Sequence, residues 1–459
     1  MSAPRGRGSG ARGLVRLGRM SARGYVTESE ATDSSLSLAL APALTPEGLT
    51  ASPSFFHGFA TEPRAVAQGL VALADITATR YFQPVPTTMR DPVLTAHGDR
   101  LRAEVFSADN SVYARLDLLA SGLDGGEISY GTTNVDIGTA MRRTLAAITR
   151  NDLLHLDVGA DGLTAATPST SAVERPVTMP DRWVRALGNA AEVHASLAAR
   201  FTIAAAPARA FVASLPPSTG SGRDGWLTPT PTGIRVAPRG SADAVHVSGL
   251  HRLSGLKRLL TQLQSLTVYG PRDGSAGGAA VEVEIPGARL LIALTENATR
   301  GYSGEGALLA SLAATDVLDN AAVLSALLSF DPRIDIDRLA TDAALSTDET
   351  RESLAVLAAS GRVGWDLRDE AYFHRELPDD PDRIDGDNPR LVRARRIVTA
   401  GGVRRTADTW TVDAVTSTHI VRATTTGHSC TCVWYARHGS GHGPCAHVLA
   451  VMIAEGTAS

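Results

Sequence analysis

The chain has 459 residues, room for roughly three average domains, and its 44 basic and 48 acidic residues give a formal charge of −4. That balance excludes a polycation built to grip a phosphate backbone with its whole surface, so any nucleic-acid surface must be local. No apolar stretch approaches the roughly 20 residues of a membrane-spanning helix, and 43 glycines with 24 prolines stay below the level that signals disorder.

Residues 1–35 read as a disordered basic tail: six arginines and no acid precede residue 25, and no apolar secretory core follows them. Either Met1 or Met20 would serve as the start. An α+β domain is expected over 36–214. Apolar spacing through Val66, Leu70, Leu73 and Ile76 predicts a helix over 64–78, and alternation predicts strands over 101–107 and 112–118 around a turn at Asp109-Asn110. A helix over 138–149, strands over 153–158 and 163–166, and a helix from Asp181 carrying Trp183, Leu187 and Leu197 on one side complete it.

A Pro/Gly/Ser run at 215–225 opens a second α+β region, 215–300, with a helix over 250–263 and a hairpin of strands 281–285 and 290–294. Glu282 and Glu284 alternate with Val281, Val283 and Ile285 as on the wet face of a strand. Two G-x-G-x-x-G matches, at Gly8, Gly10, Gly13 and at Gly220, Gly222, Gly225, lack the strand before and helix after that a dinucleotide site needs, so no nucleotide cofactor is expected.

Over 301–378 three helical runs precede a short hairpin. Ser346 and Glu349 have capping-box spacing at the third run, and Gly361 ends it. This order resembles a winged helix-turn-helix. The exposed start of its third helix is acidic, however (Asp348, Glu349, Glu352 against Arg351), which opposes phosphates and favours a protein contact. Residues 379–409 form a charged linker with five aspartates over 379–387, then an arginine-rich segment: Arg390, Arg393, Arg395, Arg396, Arg404 and Arg405, candidates for nucleic-acid binding.

All three cysteines of the chain, Cys430, Cys432 and Cys445, lie within 16 residues. An odd, closely spaced set argues against a disulfide framework and for a metal site in a reducing cytoplasm. With His447 they supply the three thiolates and one imidazole that close a tetrahedral Zn²⁺, one structural ion with no open position. His442 and His428 are alternatives for the fourth position. The order Cys430-x-Cys432, a loop, then Cys445-x-His447 resembles the SWIM-type zinc finger, over 410–456, and the chain resembles the bacterial SWIM proteins that carry it at the C terminus. The resemblance implies DNA binding or protein contacts.

The expected fold class is thus α+β multidomain: a mixed α/β N-terminal region, a winged-helix-like segment and a small C-terminal ββα SWIM zinc finger. The expected function is a non-enzymatic, cytoplasmic nucleic-acid or protein interaction module with no membrane partner. An enzyme with its site in 60–300, or an adaptor in a multiprotein ATPase system, is the alternative.

Overall fold

In the computed structural model, runs of alternating residues become antiparallel strands, and every strand pairing among the described residues is antiparallel. The structure describes residues 54–456, apart from 83–91, 125–127, 160, 178–180, 221, 303–316, 329, 376, 378–388, 415–416, 426 and 440–442, with the backbone of two short hairpins inside 30–50. The readings made for residues 1–29, for the aspartate-rich linker and for His442 lie outside the described residues.

Strand β1 (Ser54–Ala60) leads into α1 (Pro63–Thr77). Then come β2 (Val93–His97), β3 (Arg100–Phe106), β4 (Val112–Leu119), β5 (Leu123–Asp124), β6 (Tyr130–Asn134), α2 (Thr139–Ala147), β7 (His155–Gly159), β8 (Gly162–Ala166), β9 (Ser171–Glu174) and α3 (Asp181–Ala195). The helix from Asp181 stops at Ala195, and Leu197 starts a strand, β10 (Leu197–Ala204), instead of sharing a helix face with Trp183. After α4 (Ala205–Ser214), β11 (Gly225–Thr230), β12 (Gly233–Ala237) and β13 (Val245–Val247), residues Leu250–Leu259 form a 3₁₀ helix, and β14 (Ser265–Pro271), β15 (Ala279–Ile285) and β16 (Ala288–Leu294) form a meander.

The central sheet has eight strands in the order β6-β2-β3-β4-β16-β15-β14-β10, so strands far apart in sequence meet at its middle, where Leu116 faces Leu290 and Asp117 faces Arg289. One face is apolar. Val66, Leu70 and Leu73 of α1, with Leu253 and Leu256 of the 3₁₀ helix, are buried in the same apolar core as Leu116 and Leu290. A Cβ at Gly69 would lie 2.9 Å from Leu116 Cδ1, so any larger residue there would have to displace the Leu116 side chain. A second sheet, β9-β8-β7-β1-β5, continues that core.

The opposite face carries charge, and it is buried too. Arg102, Asp117 and Arg289 form one cross-strand row, and Glu104, Arg115 and Glu282 belong to the next. Glu282 is 1% exposed, which overturns its reading as the wet face of a strand. The cover is the hairpin β17 (Val363–Asp366) and β18 (Ala371–His374) of the next unit, whose helices are α5 (Val317–Leu327), α6 (Ile336–Ala343) and α7 (Thr347–Ala359). Asp366 of that hairpin accepts hydrogen bonds from Arg102 Nη2 at 2.6 Å and Arg289 Nη2 at 2.7 Å, and Arg115 Nη2 lies 2.9 Å from it. Phe373 lies under the Arg102 guanidinium at 3.7 Å, and Arg375 pairs with Glu104 at 2.9 Å. The Ser346–Glu349 capping box is formed, with hydrogen bonds of 3.2 and 2.8 Å.

The last unit comprises α8 (Pro389–Thr399), a four-stranded sheet β19 (Val403–Thr406), β20 (Thr409–Ala414), β21 (Ser417–Thr424) and β22 (Gly427–Cys430), then α9 (Val433–His438) and α10 (Ala446–Gly456). This is larger than a ββα unit, because α8 packs along α10 and buries Leu391, Ala394 and Ile397. Its apolar core is continuous with that of the α5–α7 unit, running from Leu324 to Ile453. Taken whole, the architecture is mixed α/β with several sheets, and among the described residues no helix is long and apolar enough to cross a membrane.

Three histidines are sealed inside. His97 donates from Nε2 to the His374 carbonyl at 2.8 Å, Phe330 N–H donates to His374 Nδ1 at 2.8 Å, and His194 Nε2 meets the Tyr302 hydroxyl at 3.1 Å. Burial, with neighbouring arginines, depresses all three pKa values, His194 to about 3. A histidine held neutral by the fold contributes stability above its unfolded pKa of about 6.5 and loses it as pH falls toward the folded value. Denaturation free energy should therefore drop by up to about 1.4 kcal/mol per pH unit for each ring once the pH is well below about 6.5. Urea midpoints measured at descending pH test this, and a flat profile down to about pH 5 would contradict it.

Candidate metal centre and the basic cleft beside it

Each cysteine ends one element or begins another. Cys430 is the last residue of β22, opposite Val421, and Cys432 is the N-cap of α9, its sulfur accepting the Tyr435 N–H at 3.3 Å. The C-x-C pair thus turns the chain from strand to helix instead of placing both thiols on one strand face. Thr431 between them bonds back to Ile420 through its N–H at 3.1 Å and its hydroxyl oxygen at 3.0 Å, which fixes the turn. Cys445 immediately precedes α10, its carbonyl accepting the Leu449 N–H at 3.0 Å, and His447 lies in that helix's first turn.

The donor atoms of Cys430, Cys432, Cys445 and His447 all lie within 4.8 Å of one another, and Cys430 Sγ is 3.8 Å from His447 Nδ1. Bond lengths of about 2.3 Å to sulfur and 2.0 Å to nitrogen give a tetrahedron with edges of about 3.5–3.8 Å, so four donors stand where one small ion takes them. The three thiols are buried. The hydrogen bond from the Cys430 thiol, helped by His447 and the Val448 N–H, outweighs burial and lowers the Cys445 pKa, and the same bond raises that of Cys430. One thiolate is favoured at the start of a helix, and a divalent cation held by the four residues would supply the charge that stabilises the other two.

Around this centre, the His419 ring lies 4.1 Å from that of His447, centroid to centroid, and its Nε2 is 2.9 Å from the Ser417 hydroxyl. His428 instead rests against Trp410, 5.5 Å between ring centres, and is not one of the four converging residues.

The centre forms part of the wall of a cleft of about 910 Å³, lined by Cys432, Cys445 and His447 and by four of the six arginines singled out in the sequence. Arg390, Arg393 and Arg396 come from α8 and Arg404 from β19. Arg390 donates to the Pro444 carbonyl at 3.1 Å, tying α8 to the loop that delivers Cys445, and its guanidinium lies 4.7 Å over the Trp434 ring. Burial lowers its pKa, with the charge of Arg300 adding to the effect. Arg404 is paired with Asp413. The two remaining arginines do not line the cleft: Arg405 lies over Trp410 at 5.6 Å, and Arg395 is elsewhere on α8. Trp434 and His419 were not singled out from sequence. The only signal for Trp434 is its place two residues after a ligand-type cysteine.

No family model and no curated protein matches this chain. Among solved structures it is similar to proliferating cellular nuclear antigen from Entamoeba histolytica, 12% identical over 53% of this chain and 99% of that one, with a TM-score of 0.35. It is also similar to the PCNA2–PCNA3 complex from Sulfolobus tokodaii, 10% identical over 52% and 98%, with a TM-score of 0.36. Likenesses at these scores carry no functional argument.

Proposed function

We propose that the chain is a non-enzymatic binding protein whose C-terminal part, 389–456, is a zinc-organised module that holds nucleic acid through its phosphates. The observation that carries this reading is the convergence of arginines from α8 and β19 in one cleft with the four metal donors. Three sulfurs and one nitrogen are the donor set of Zn²⁺, and with all four positions taken the ion is structural. Cys430, Cys432, Cys445 and His447 would hold it, leaving no position for a reacting water. The ligand order supports a SWIM-type zinc finger, and the reduced thiols support a cytoplasmic setting.

In this reading, 301–378 is a winged-helix-like unit with its hairpin engaged on the central sheet. A protein partner is the second reading, favoured by the exposed acids Asp348, Glu349 and Glu352 at the start of α7.

The test is retention on immobilised nucleic acid at about 50 mM salt, weakening steeply toward about 200 mM. Arg393→Ala with Arg396→Ala should weaken retention and flatten its dependence on salt. Equal retention by both proteins would remove the cleft from the reading, and no retention at low salt would leave the protein-partner reading.

A further inference from the structure

We propose that the ligand of the cleft is a single nucleic-acid strand and not a duplex, an inference that rests on the reading of the cleft as a phosphate site. Its cationic groups lie within a concavity. Arg393 and Arg396 on α8, Arg404 on β19, His419 on β21 and Trp434 on α9 bring four elements around one volume. Proteins that read a duplex push a helix or ribbon into a groove of a convex cylinder. Here the exposed arginines of α8 face a cleft walled by residues of β19, β21 and α9.

Size points the same way. About 910 Å³ falls within the range of sites that hold small organic groups, roughly 300–1,000 Å³, which gives room for a few bases with their phosphates. An aromatic component is also present: Trp434 lines the wall, with the Arg390 guanidinium 4.7 Å over its ring and the His438 ring 5.0 Å away. Sequence-tolerant single-strand grooves combine these two features, a cationic track and a stacking surface. Asp413 is the one acid in the lining among the described residues and is occupied by Arg404, with its pKa lowered by hydrogen bonds from Thr418 and Arg404, so phosphate contacts fall mainly to the exposed Arg393 and Arg396.

Fluorescence anisotropy on the full, metal-loaded chain tests this. The probes are a labelled oligothymidylate of about 15 nucleotides, the same strand annealed to its complement, and inorganic polyphosphate as competitor. The single strand should bind at least about tenfold tighter than the duplex, and polyphosphate of equal charge should displace it poorly. Arg393→Glu with Arg396→Glu should abolish binding at about 150 mM salt, and Arg393→Ala with Arg396→Ala should reduce the log–log salt slope by about 1.4, the share of two phosphate contacts on a single strand. Trp434→Leu should weaken oligothymidylate binding by about tenfold while leaving the polyphosphate interaction in place. Duplex binding equal to or tighter than the single strand, or displacement by polyphosphate charge for charge, would overturn the inference and leave the phosphate reading standing. Failure of the unmodified chain to bind any probe at about 50 mM salt would overturn both.

Discussion

Cys445→Ser is expected to cost the purified chain its bound metal and to make 389–456 protease-sensitive. The reason is how little the sheet that carries Cys430 buries of its own. Of its four strands, β19 has no buried residue, and β20, β21 and β22 bury only Trp410, Val412, Val421 and Cys430 between them. A structural zinc contributes on the order of 10–16 kcal/mol in small zinc peptides at neutral pH, more than such a sheet gains from burial. Serine keeps the shape of the side chain but neither the thiolate nor its affinity for the ion. Because the apolar core continues into α5–α7, loosening should also reach Leu354 and Leu357. Cys432→Ser should do the same through loss of the thiolate alone, because the serine hydroxyl can still cap α9. Metal analysis with limited proteolysis checks this. A variant with a full complement of metal and an intact C-terminal fragment would show that the four donors are not the ligands.

Asp366→Asn should lower the free energy of unfolding by about 3–5 kcal/mol, the range for breaking a buried ion pair from one side. Asp366 and Asp117 together bridge three guanidiniums, those of Arg102, Arg115 and Arg289. Burial raises both carboxyl pKa values, but the arginines outweigh it and hold them below the ordinary carboxylate range. Glu282, whose pKa burial raises, adds a third carboxyl group at the edge of the cluster. Asparagine would remove one charge and turn an NH₂ donor toward groups that are all donors. The arginines are on the central sheet and Asp366 is on the hairpin of the next unit, so the loss falls on the contact between them.

Chemical denaturation should show a lower midpoint, and β17–β18 should become exchange-competent before the sheet. Because both aspartates have depressed pKa values, their stabilisation is complete above about pH 4 and is lost as pH falls further. A change below about 1 kcal/mol for both Asp366→Asn and Asp117→Asn would mean that the hairpin is held by its apolar contacts alone.

Much of the candidate site was legible because metal chemistry is local. Two ligand pairs with short internal spacing, a proline ahead of Cys445 and an apolar run after it imply a helix carrying a donor in its first turn, and α10 has that form. The arginines of α8 were legible as a local run of charge. That only four of the six turn toward the metal centre, and that Trp434 and His419 join them, depends on how α8 packs along α10 and on the path from β19 to β21.

The sequence by itself determined the local elements: the strand meanders, the capping box at Ser346, and the clustering of three sulfurs with an imidazole. These follow from side-chain period, backbone capping and ligand spacing, which act over a few residues. Only the tertiary structure decided that Arg102, Arg115, Arg289 and Glu282 are interior. A strand with charges on alternate residues looks the same whether water or a second unit covers it. Here the compensating charge comes from Asp366, 77 residues beyond Arg289 and 264 beyond Arg102, a distance over which no local pattern reaches.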